Sequence, residues 1–206
     1  MKIFFSPENS VQKNINFKQN KKQETVAILG SSKTKDSIMD YMELCSEVTK
    51  SLVLADKNIL HGCGNSGIMG SAYNAAKTYS KKDENNKPAQ NLAIVKTPLW
   101  GDEDMKNCIV LDSANSEAER IEKFSNLADK IIIFPGGAAT MQEAATLISR
   151  NNYTPEDKRK KIVLVGSDYF KGLNKQYETI YQNGLLNGKP EELYTLADTK
   201  EEILSA

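Results

Sequence analysis

The sequence predicts an α/β protein: a single domain with a Rossmann-like, doubly wound parallel sheet that carries helices on both faces. Strand-like apolar segments alternate with segments of helical periodicity from about residue 24 to residue 206. Such alternation is typical of parallel sheets, because the crossover between two parallel strands normally contains a helix. A length of 206 residues also suits one domain with a large buried core.

The predicted elements follow one another regularly after an N-terminal extension. Residues 1–23 are rich in Asn, Gln and Lys and show little apolar periodicity, so we expect a flexible extension before the domain at residues 24–206. Short apolar runs predict seven strands, at residues 25–30, 57–62, 91–95, 108–112, 130–135, 161–166 and 192–196. Apolar residues at helical spacing predict six helices, at residues 35–55, 67–80, 116–128, 140–151, 168–186 and 199–205. The charged segment at residues 80–90 is predicted to be a loop within the domain.

Composition and charge argue against several classes of protein. The 27 basic and 27 acidic side chains cancel, whereas a nucleic-acid-binding protein normally carries a basic patch. No apolar run resembles a signal peptide or approaches the roughly 18 residues of a membrane helix. Three widely spaced cysteines without a CxxC motif fit a reducing cytosol, and a single histidine excludes a multi-His metal site. We therefore expect a cytoplasmic protein without metal, nucleic-acid or membrane partners.

The loop after the first predicted strand contains small residues, Gly30-Ser31-Ser32. In parallel sheets, ligands bind beyond the carboxyl ends of the strands, where such loops lie. Small residues allow a ligand to approach the backbone, and the Ser31 hydroxyl can donate to a phosphate. An ordinary strand-to-helix turn explains the tripeptide equally well, so both interpretations stay open.

The loop after the second predicted strand fits a dinucleotide fingerprint incompletely. Gly62, Gly64 and Gly67 match G-x-G-x-x-G between a strand and a helix. The next strand runs into Lys96, whereas the fingerprint requires an acidic residue that binds a ribose hydroxyl. The pattern therefore favours a nucleotide-sized ligand over a nicotinamide dinucleotide with oxidoreductase chemistry. Gly70 lies inside the following helix at a cost of about 1 kcal/mol relative to Ala, which indicates close packing or close ligand approach.

The loop after the fifth predicted strand allows two interpretations. Pro135 ends the strand and is followed by Gly136 and Gly137, which permit backbone geometries that other residues resist. A helical pattern then starts at Thr140. Thr140 and Glu143 fit a capping box, in which both side chains bind N–H groups at the helix start. The same helix start could instead bind a phosphate, with the Glu143 carboxylate directed into the site.

Arg120 also has two interpretations. It lies at the flank of the apolar stripe of the preceding helix, near the helix N-terminus, where a cation is unfavourable to the helix dipole. A surface ion pair with Glu117 would explain the residue. An orientation over the strand ends, toward a bound anion, would explain it too.

Taken together, these segments resemble the Lonely Guy family of nucleoside 5′-monophosphate phosphoribohydrolases. Residues 135–143 (PGGAATMQE) are similar to the family's P-G-G-x-G-T-x-x-E, and residues 62–70 (GCGNSGIMG) to its G-G-G-x-x-G-L-M-G. Arg120 precedes the signature proline by fifteen residues, as the family's functional Arg does. With later segments at residues 160–186 and 195–204, the resemblance covers about residues 24–206. Family members are often labelled lysine decarboxylases, but no residue here marks a lysine for a pyridoxal Schiff base.

The resemblance implies hydrolysis of the bond between the base and ribose 5-phosphate in AMP or an N6-modified cytokinin ribotide, without metal or cofactor. It implies that Arg120 and Glu143 are catalytic, with the Glu143 carboxylate beside an oxocarbenium-like ribosyl cation. The residues that it implies in binding the substrate and its phosphate are Gly136, Gly137, Ala138, Ala139, Thr140, Ser31 and Ser149. Family members pair as dimers, so we expect a homodimer.

Three departures from the family pattern bear on activity. Ala139 replaces a glycine of the signature, Cys63 replaces the middle glycine of the other loop, and Ile121 replaces the Lys that follows the functional Arg. If position 139 requires positive φ, Ala there is strained and the phosphate loop is altered. The alternative function is accordingly a non-catalytic nucleotide-binding or sensor protein of the same fold. Trp100 and acidic residues 102–104 are expected either to shape the base pocket or to form an exposed loop.

Overall fold

The computed structural model describes residues 23–80, 89–99 and 105–206. The predicted N-terminal extension lies outside the described residues except for Gln23, and so do Trp100 and the acidic residues 102–104. Most of the predicted loop at residues 80–90 lies outside them as well.

Seven strands form one parallel sheet, and all seven correspond to predicted strands. The strands are β1 (Thr25–Leu29), β2 (Asn58–His61), β3 (Asn91–Lys96), β4 (Ile109–Ala114), β5 (Lys130–Ile133), β6 (Lys161–Val165) and β7 (Thr195–Ala197). Their order across the sheet is β4-β3-β2-β1-β5-β6-β7. Strands β2 to β4 therefore extend the sheet on one side of β1, and strands β5 to β7 extend it on the other side. Such a reversal opens a crevice at the carboxyl ends of the two central strands, here β1 and β5.

Helices connect the strands and cover both faces of the sheet. The helices are α1 (Met39–Leu54), α2 (Gly67–Tyr79), α3 (Glu117–Leu127), α4 (Ala138–Asn152), α5 (Ser167–Gln182), α6 (Pro190–Leu193) and α7 (Lys200–Ser205). Side chains of α1, α2 and α7 share one buried cluster, and side chains of α3, α4, α5 and α6 share another. The fold class, an α/β Rossmann-like sheet with helices on both faces, is as predicted. None of the helices within the described ranges is long and apolar enough to span a membrane.

The central strand β5 shows how one apolar run serves both faces. Ile131 and Ile133 pack into the cluster on the α3–α6 face, whereas Ile132 and Phe134 pack into the cluster on the other face. Successive side chains of a strand point to opposite faces, so a strand buried on both sides reads as a continuous apolar run. The run at residues 130–135 has this character because β5 lies between β1 and β6.

Several helix boundaries differ from the prediction for local reasons. α4 begins at Ala138, two residues before the predicted start, because Ala138 and Ala139 favour the helix. α5 ends at Gln182, and Gly184 with φ +70 closes it in the left-handed conformation. α6 was not predicted: Pro190 occupies its first turn, where proline is favoured, and β7 consequently starts only at Thr195.

Candidate functional site

A pocket of about 300 Å³ lies at the carboxyl ends of β1 and β5. The loops after β1 and β2, the helix α3 and the first turns of α4 line it. The structure brings most of the predicted site residues together here: Arg120, Glu143, Ser31, Gly137, Ala138, Ala139 and Thr140. Gly136 precedes Gly137 in the same loop but does not line the pocket.

Ser149 is not brought to this pocket. It lines a separate, larger groove of about 520 Å³ between the ends of α3 and α4 and the start of β6, with Arg150, Tyr153 and Lys158. Arg150 in its lining makes only an exposed ion pair with Glu122, at 3.9 Å. We therefore place the candidate site in the smaller pocket, where the predicted acid and arginine meet.

The first turn of α4 presents its backbone N–H groups without a side-chain cap. Gly137 is the N-cap residue, with extended backbone, and within the described part of the chain this end of the helix has no side-chain cap. Thr140 and Glu143 lie inside the helix, so they do not form the capping box that their spacing suggested. An uncapped helix start carries unsatisfied N–H donors and partial positive charge, a natural site for an anion.

Close packing fixes the loop before α4. A Cβ atom on Gly136 would lie 2.1 Å from the Thr140 hydroxyl oxygen, so no side chain fits at that position. The Ser31 N–H donates to the Pro135 carbonyl at 3.1 Å and ties the loop after β5 to the loop after β1. The Ser31 hydroxyl bonds to the backbone of Lys33, which makes Ser31 part of a tight turn at the pocket wall.

Tyr169, in the first turn of α5, also holds this loop. Its hydroxyl donates a hydrogen bond to the Gly136 carbonyl, and its ring packs edge-on against Phe170. Sequence reasoning singled out no individual residue of α5. Tyr169 could have been found from its position in the sequence: it lies in the first turn of the helix that follows β6, and β6 lies next to β5, so their carboxyl ends are adjacent.

Arg120 and Glu143 form a buried ion pair at the wall of the pocket. Arg120 Nη2 lies 3.4 Å from Glu143 Oε1, and the two residues are only 5% and 4% exposed. The same guanidinium nitrogen lies 3.1 Å from Glu117 Oε2. Arg120 does pair with Glu117 on its own helix, but it is a buried residue and not the surface residue of the first interpretation, and its side chain lines the pocket. Lys96, at the end of β3, pairs with the other Glu117 oxygen at 2.8 Å.

Burial governs the chemistry of Glu143. Desolvation raises the pKa of its carboxyl to about 7, because the charged form loses hydration. The Arg120 guanidinium opposes this shift, and the neighbouring Glu117 carboxylate adds to it. Strongly shifted carboxyl groups inside a pocket are common among catalytic acids and bases.

The three departures from the family pattern differ in their structural consequences. Ala139 is an exposed residue of the first turn of α4 and does not have positive φ, so its methyl group introduces no backbone strain. Cys63 does have positive φ, +68, a conformation that favours glycine. Ile121 is buried in the core beneath α3, away from the pocket. Gly70 is explained by close packing, since a Cβ there would lie 2.4 Å from the Asn65 carbonyl oxygen.

His61 stabilises the unusual backbone of Cys63. The Cys63 N–H donates to His61 Nδ1 at 3.0 Å, and His61 Nε2 bonds to the Asn91 side-chain oxygen. Because Nδ1 accepts, the proton of the neutral ring lies on Nε2 and is donated to Asn91. Burial lowers the pKa of His61 to about 4, so the ring stays neutral. Within the described ranges, no group of three or more His, Cys, Asp or Glu side chains could hold a metal ion.

Comparisons with known proteins agree with the fold. A molybdenum cofactor binding protein from the phototrophic bacterium Rippkaea orientalis shares 15% identity at a TM-score of 0.63, covering 90% of this chain and 96% of that one. The Moco carrier protein from Chlamydomonas reinhardtii shares 15% identity at a TM-score of 0.61, covering 89% and 94%. The protein TM1055 shares 14% identity at a TM-score of 0.58, covering 89% and 97%. At such low identity these similarities establish the fold alone.

The sequence comparisons identify a family. No curated protein matches the chain. The family model described as possible lysine decarboxylase matches residues 66–206, well over half of the chain. This range includes Arg120, Glu143 and the whole loop before α4. The chain therefore belongs to the possible lysine decarboxylase family, the family of the Lonely Guy proteins.

Proposed function

We propose that the protein hydrolyses the N-glycosidic bond of a nucleoside 5′-monophosphate, AMP or an N6-modified cytokinin ribotide, and releases the base and ribose 5-phosphate. One observation carries the proposal: the buried Glu143 carboxyl, held by Arg120, borders the same pocket as the uncapped start of α4. In this arrangement the phosphate of a ribose 5-phosphate would lie at the helix start and the glycosidic carbon beside the Glu143 carboxyl, because both line the same pocket.

In the proposed reaction, the 5′-phosphate binds to the N–H groups between Gly137 and Thr140. The bond between the base and ribose C1′ breaks with its electron pair on the base, which leaves a ribosyl cation. The ionised Glu143 carboxylate stabilises this cation and orients the attacking water. The water supplies hydroxide to C1′ and its proton to the base, so the reaction consumes one water.

Arg120 has two roles in this proposal. It keeps the Glu143 carboxylate in place through their ion pair and supports its ionised form. Its guanidinium also lines the pocket, where it can stabilise negative charge on the departing base. Lys96 acts on this pair only indirectly: it pairs with the Glu117 oxygen that does not contact Arg120 and so balances part of the Glu117 charge.

The second candidate is a binding protein without catalysis. Two proteins of the same fold are named for binding or carrying the molybdenum cofactor, and they cover nearly the whole chain. The uncapped start of α4 would serve a phosphorylated ligand equally well in such a protein. We also propose, from the family resemblance, that the protein is a cytoplasmic homodimer.

Incubation of the purified protein with AMP, a cytokinin ribotide and other nucleoside monophosphates tests the proposal, with released base followed by chromatography. We expect release by the wild type, and none by Glu143→Gln or Arg120→Ala. Glu122→Gln, on the exposed side of α3, is the matched control and should retain activity. If the wild type releases no base but AMP raises its melting temperature, the binding function replaces the enzymatic one. If none of these nucleotides is hydrolysed and none raises the melting temperature, both candidates fail as nucleotide proteins.

A further inference from the structure

Two cysteines from different parts of the chain lie side by side next to the pocket. Cys63 is on the loop between β2 and α2, and Cys108 directly precedes β4. Their sulfur atoms are 3.1 Å apart although 45 positions separate them in sequence. Ala93 and Val95 of β3 pack around the pair and form a small apolar cluster with it.

We propose that Cys63 and Cys108 are an oxidative modification site at which a reversible disulfide forms. A disulfide joins its sulfur atoms at about 2.05 Å, so the two thiols need to approach by only about 1 Å. Both positions are on segments outside regular helices, where such a small movement breaks no helical hydrogen bond.

The exposure of the two residues gives the order of the steps. Cys108 is half-buried, whereas Cys63 is fully buried, so a small oxidant such as hydrogen peroxide meets Cys108 first. The Cys108 sulfur attacks one peroxide oxygen and the O–O bond breaks. Cys108 becomes a sulfenic acid, and the other oxygen leaves as water. The Cys63 sulfur then attacks the Cys108 sulfur, and the sulfenic oxygen leaves as a second water. In balance, two thiols and one peroxide give one disulfide and two waters.

Cys45 provides an internal comparison. It is fully buried between α1 and α2, and its thiol lies 3.6 Å from the Ile68 carbonyl oxygen. Burial raises the pKa of the Cys45 thiol to about 12, which keeps it in the unreactive protonated form. Oxidation should therefore consume two of the three thiols and spare this one.

The disulfide would act on the proposed active site through Gly62. A Cβ on Gly62 would lie 3.3 Å from Arg120 Nη1, so the backbone beside Cys63 packs directly against the guanidinium. Drawing Cys63 toward Cys108 moves this backbone relative to Arg120. This consequence rests on the proposed function: we expect the oxidised protein to release base about tenfold more slowly, because small displacements of catalytic groups are costly.

The test uses the full-length protein, treated with hydrogen peroxide, denatured, alkylated without reductant and mapped by mass spectrometry. We expect a cross-linked peptide pair that contains Cys63 and Cys108, lighter than the two reduced peptides by two hydrogen atoms, with Cys45 alkylated. Dithiothreitol should restore three alkylated cysteines. Cys45→Ser should keep the cross-link, and Cys63→Ser and Cys108→Ser should each abolish it.

Two results would overturn the modification site: both cysteines alkylated after peroxide treatment, or Cys108 oxidised to the sulfinic acid without a linked partner. Because the cross-link is scored without substrate, failure of the phosphoribohydrolase proposal does not affect this test. A melting curve of each serine variant shows whether it is folded. A cross-link that leaves base release unchanged would contradict the coupling to Arg120, whereas the modification site would stand.

Discussion

Two opposing effects act on the pKa of Glu143. Removal from water disfavours its charged form, while Arg120 at 3.4 Å favours it. Burial is the larger effect, and the Glu117 carboxylate, which also pairs with Arg120, adds to it. The resulting pKa of about 7 places the carboxyl near the point where both protonation states are populated in the cell.

The pH dependence of turnover follows from this value. If the ionised carboxylate stabilises the ribosyl cation, kcat/KM should rise about tenfold per pH unit below pH 7 and level off above it. Rates of base release at AMP concentrations well below KM, between about pH 5 and pH 9, measure this. A rate that instead falls as the pH rises through 7 would make Glu143 a proton donor to the departing base.

The stability of Glu143→Gln should also depend on pH. The pKa of Glu143 is higher in the folded protein, about 7, than its ordinary value of 4.5. Its contribution to stability is therefore fully present below pH 4.5 and is lost as the pH rises through 7, a loss of about 3 kcal/mol. Gln does not ionise, so the unfolding free energy of the variant relative to wild type should increase by about this amount from pH 4 to pH 8. Denaturant unfolding at both pH values measures it, with Glu122→Gln as the exposed control; a constant difference would contradict the raised pKa.

At the scale of the elements, the loop before α4 depends on contacts from three parts of the chain. The loop after β1 supplies the Ser31 N–H, α5 supplies the Tyr169 hydroxyl, and α4 itself supplies the Thr140 side chain that excludes any side chain at Gly136. The peptide bond between Gly136 and Gly137 is trans, so its C=O and N–H point in opposite directions. By binding the Gly136 carbonyl, Tyr169 therefore directs the Gly137 N–H away from itself and fixes one donor of the anion site.

Tyr169→Phe should weaken the binding of phosphorylated ligands selectively. The variant keeps the ring that packs on Phe170 and loses one hydrogen bond, so ribose 5-phosphate should bind about fivefold more weakly, equivalent to about 1 kcal/mol. Adenine, which lacks a phosphate, should bind unchanged, and the melting temperature should stay close to wild type. Calorimetric titration measures both ligands. Tyr153→Phe, 79% exposed at the opposite end of α4 from the site, is the control, and equal losses in both variants would contradict the role of Tyr169.

Two helical glycines allow a direct test of packing. A Cβ on Gly70 of α2 would lie 2.4 Å from the Asn65 carbonyl oxygen, whereas a Cβ on Gly172 of α5 would meet nothing within 4 Å. We expect Gly70→Ala to destabilise the protein by about 2 kcal/mol through overpacking. We expect Gly172→Ala to stabilise it by roughly 0.5–1 kcal/mol through helix propensity. Thermal unfolding of both variants measures these changes in stability. Stabilisation by Gly70→Ala would show that Gly70 is not tightly packed against the loop before α2.

At the scale of the whole molecule, the alternation of apolar runs and helical patterns was enough to predict the fold. Each run in the sequence is long enough to cross the sheet once, and parallel strands require the helices between them. The order of the strands could not be predicted in this way, because it depends on which side of β1 the chain returns to after β4.

In the candidate site, too, the local sequence pattern predicts less than the contacts between distant segments determine. The sequence pattern from Thr140 to Glu143 fits a capping box locally, yet Glu143 is turned into the pocket because α3 places Arg120 beside it. That pair joins residues 23 positions apart on two helices, and no local pattern specifies it. The resemblance to a family supplied the residues of the pair, and the packing of α3 and α4 on one face of the sheet brings them together.

The proposed homodimer makes a prediction about which surface is covered. Of the 16 residues of α5, all of which the structure describes, Phe170 alone is fully buried. Tyr181, near the end of this helix, and Leu185, just after it, are 39% and 72% exposed. The opposite edge of the sheet also exposes apolar side chains, on β4, including Ile109. We propose that a second copy covers the α5 surface, since a stable dimer needs roughly 800 Å² from each partner and an amphipathic helix can supply much of it.

Leu185→Glu should therefore dissociate the dimer, because a charge buried at the interface has no partner. Ile109→Glu, a change of the same kind at the other edge of the sheet, should leave the dimer intact. Light scattering coupled to size-exclusion chromatography, at several protein concentrations, gives the mass of each variant and of the wild type. Dissociation by Ile109→Glu alone would move the interface to β4, and a monomeric wild type at every concentration would contradict the homodimer. If the α5 surface is the interface, it lies on the helix whose first turn contains Tyr169, so dissociation should also weaken the binding of ribose 5-phosphate.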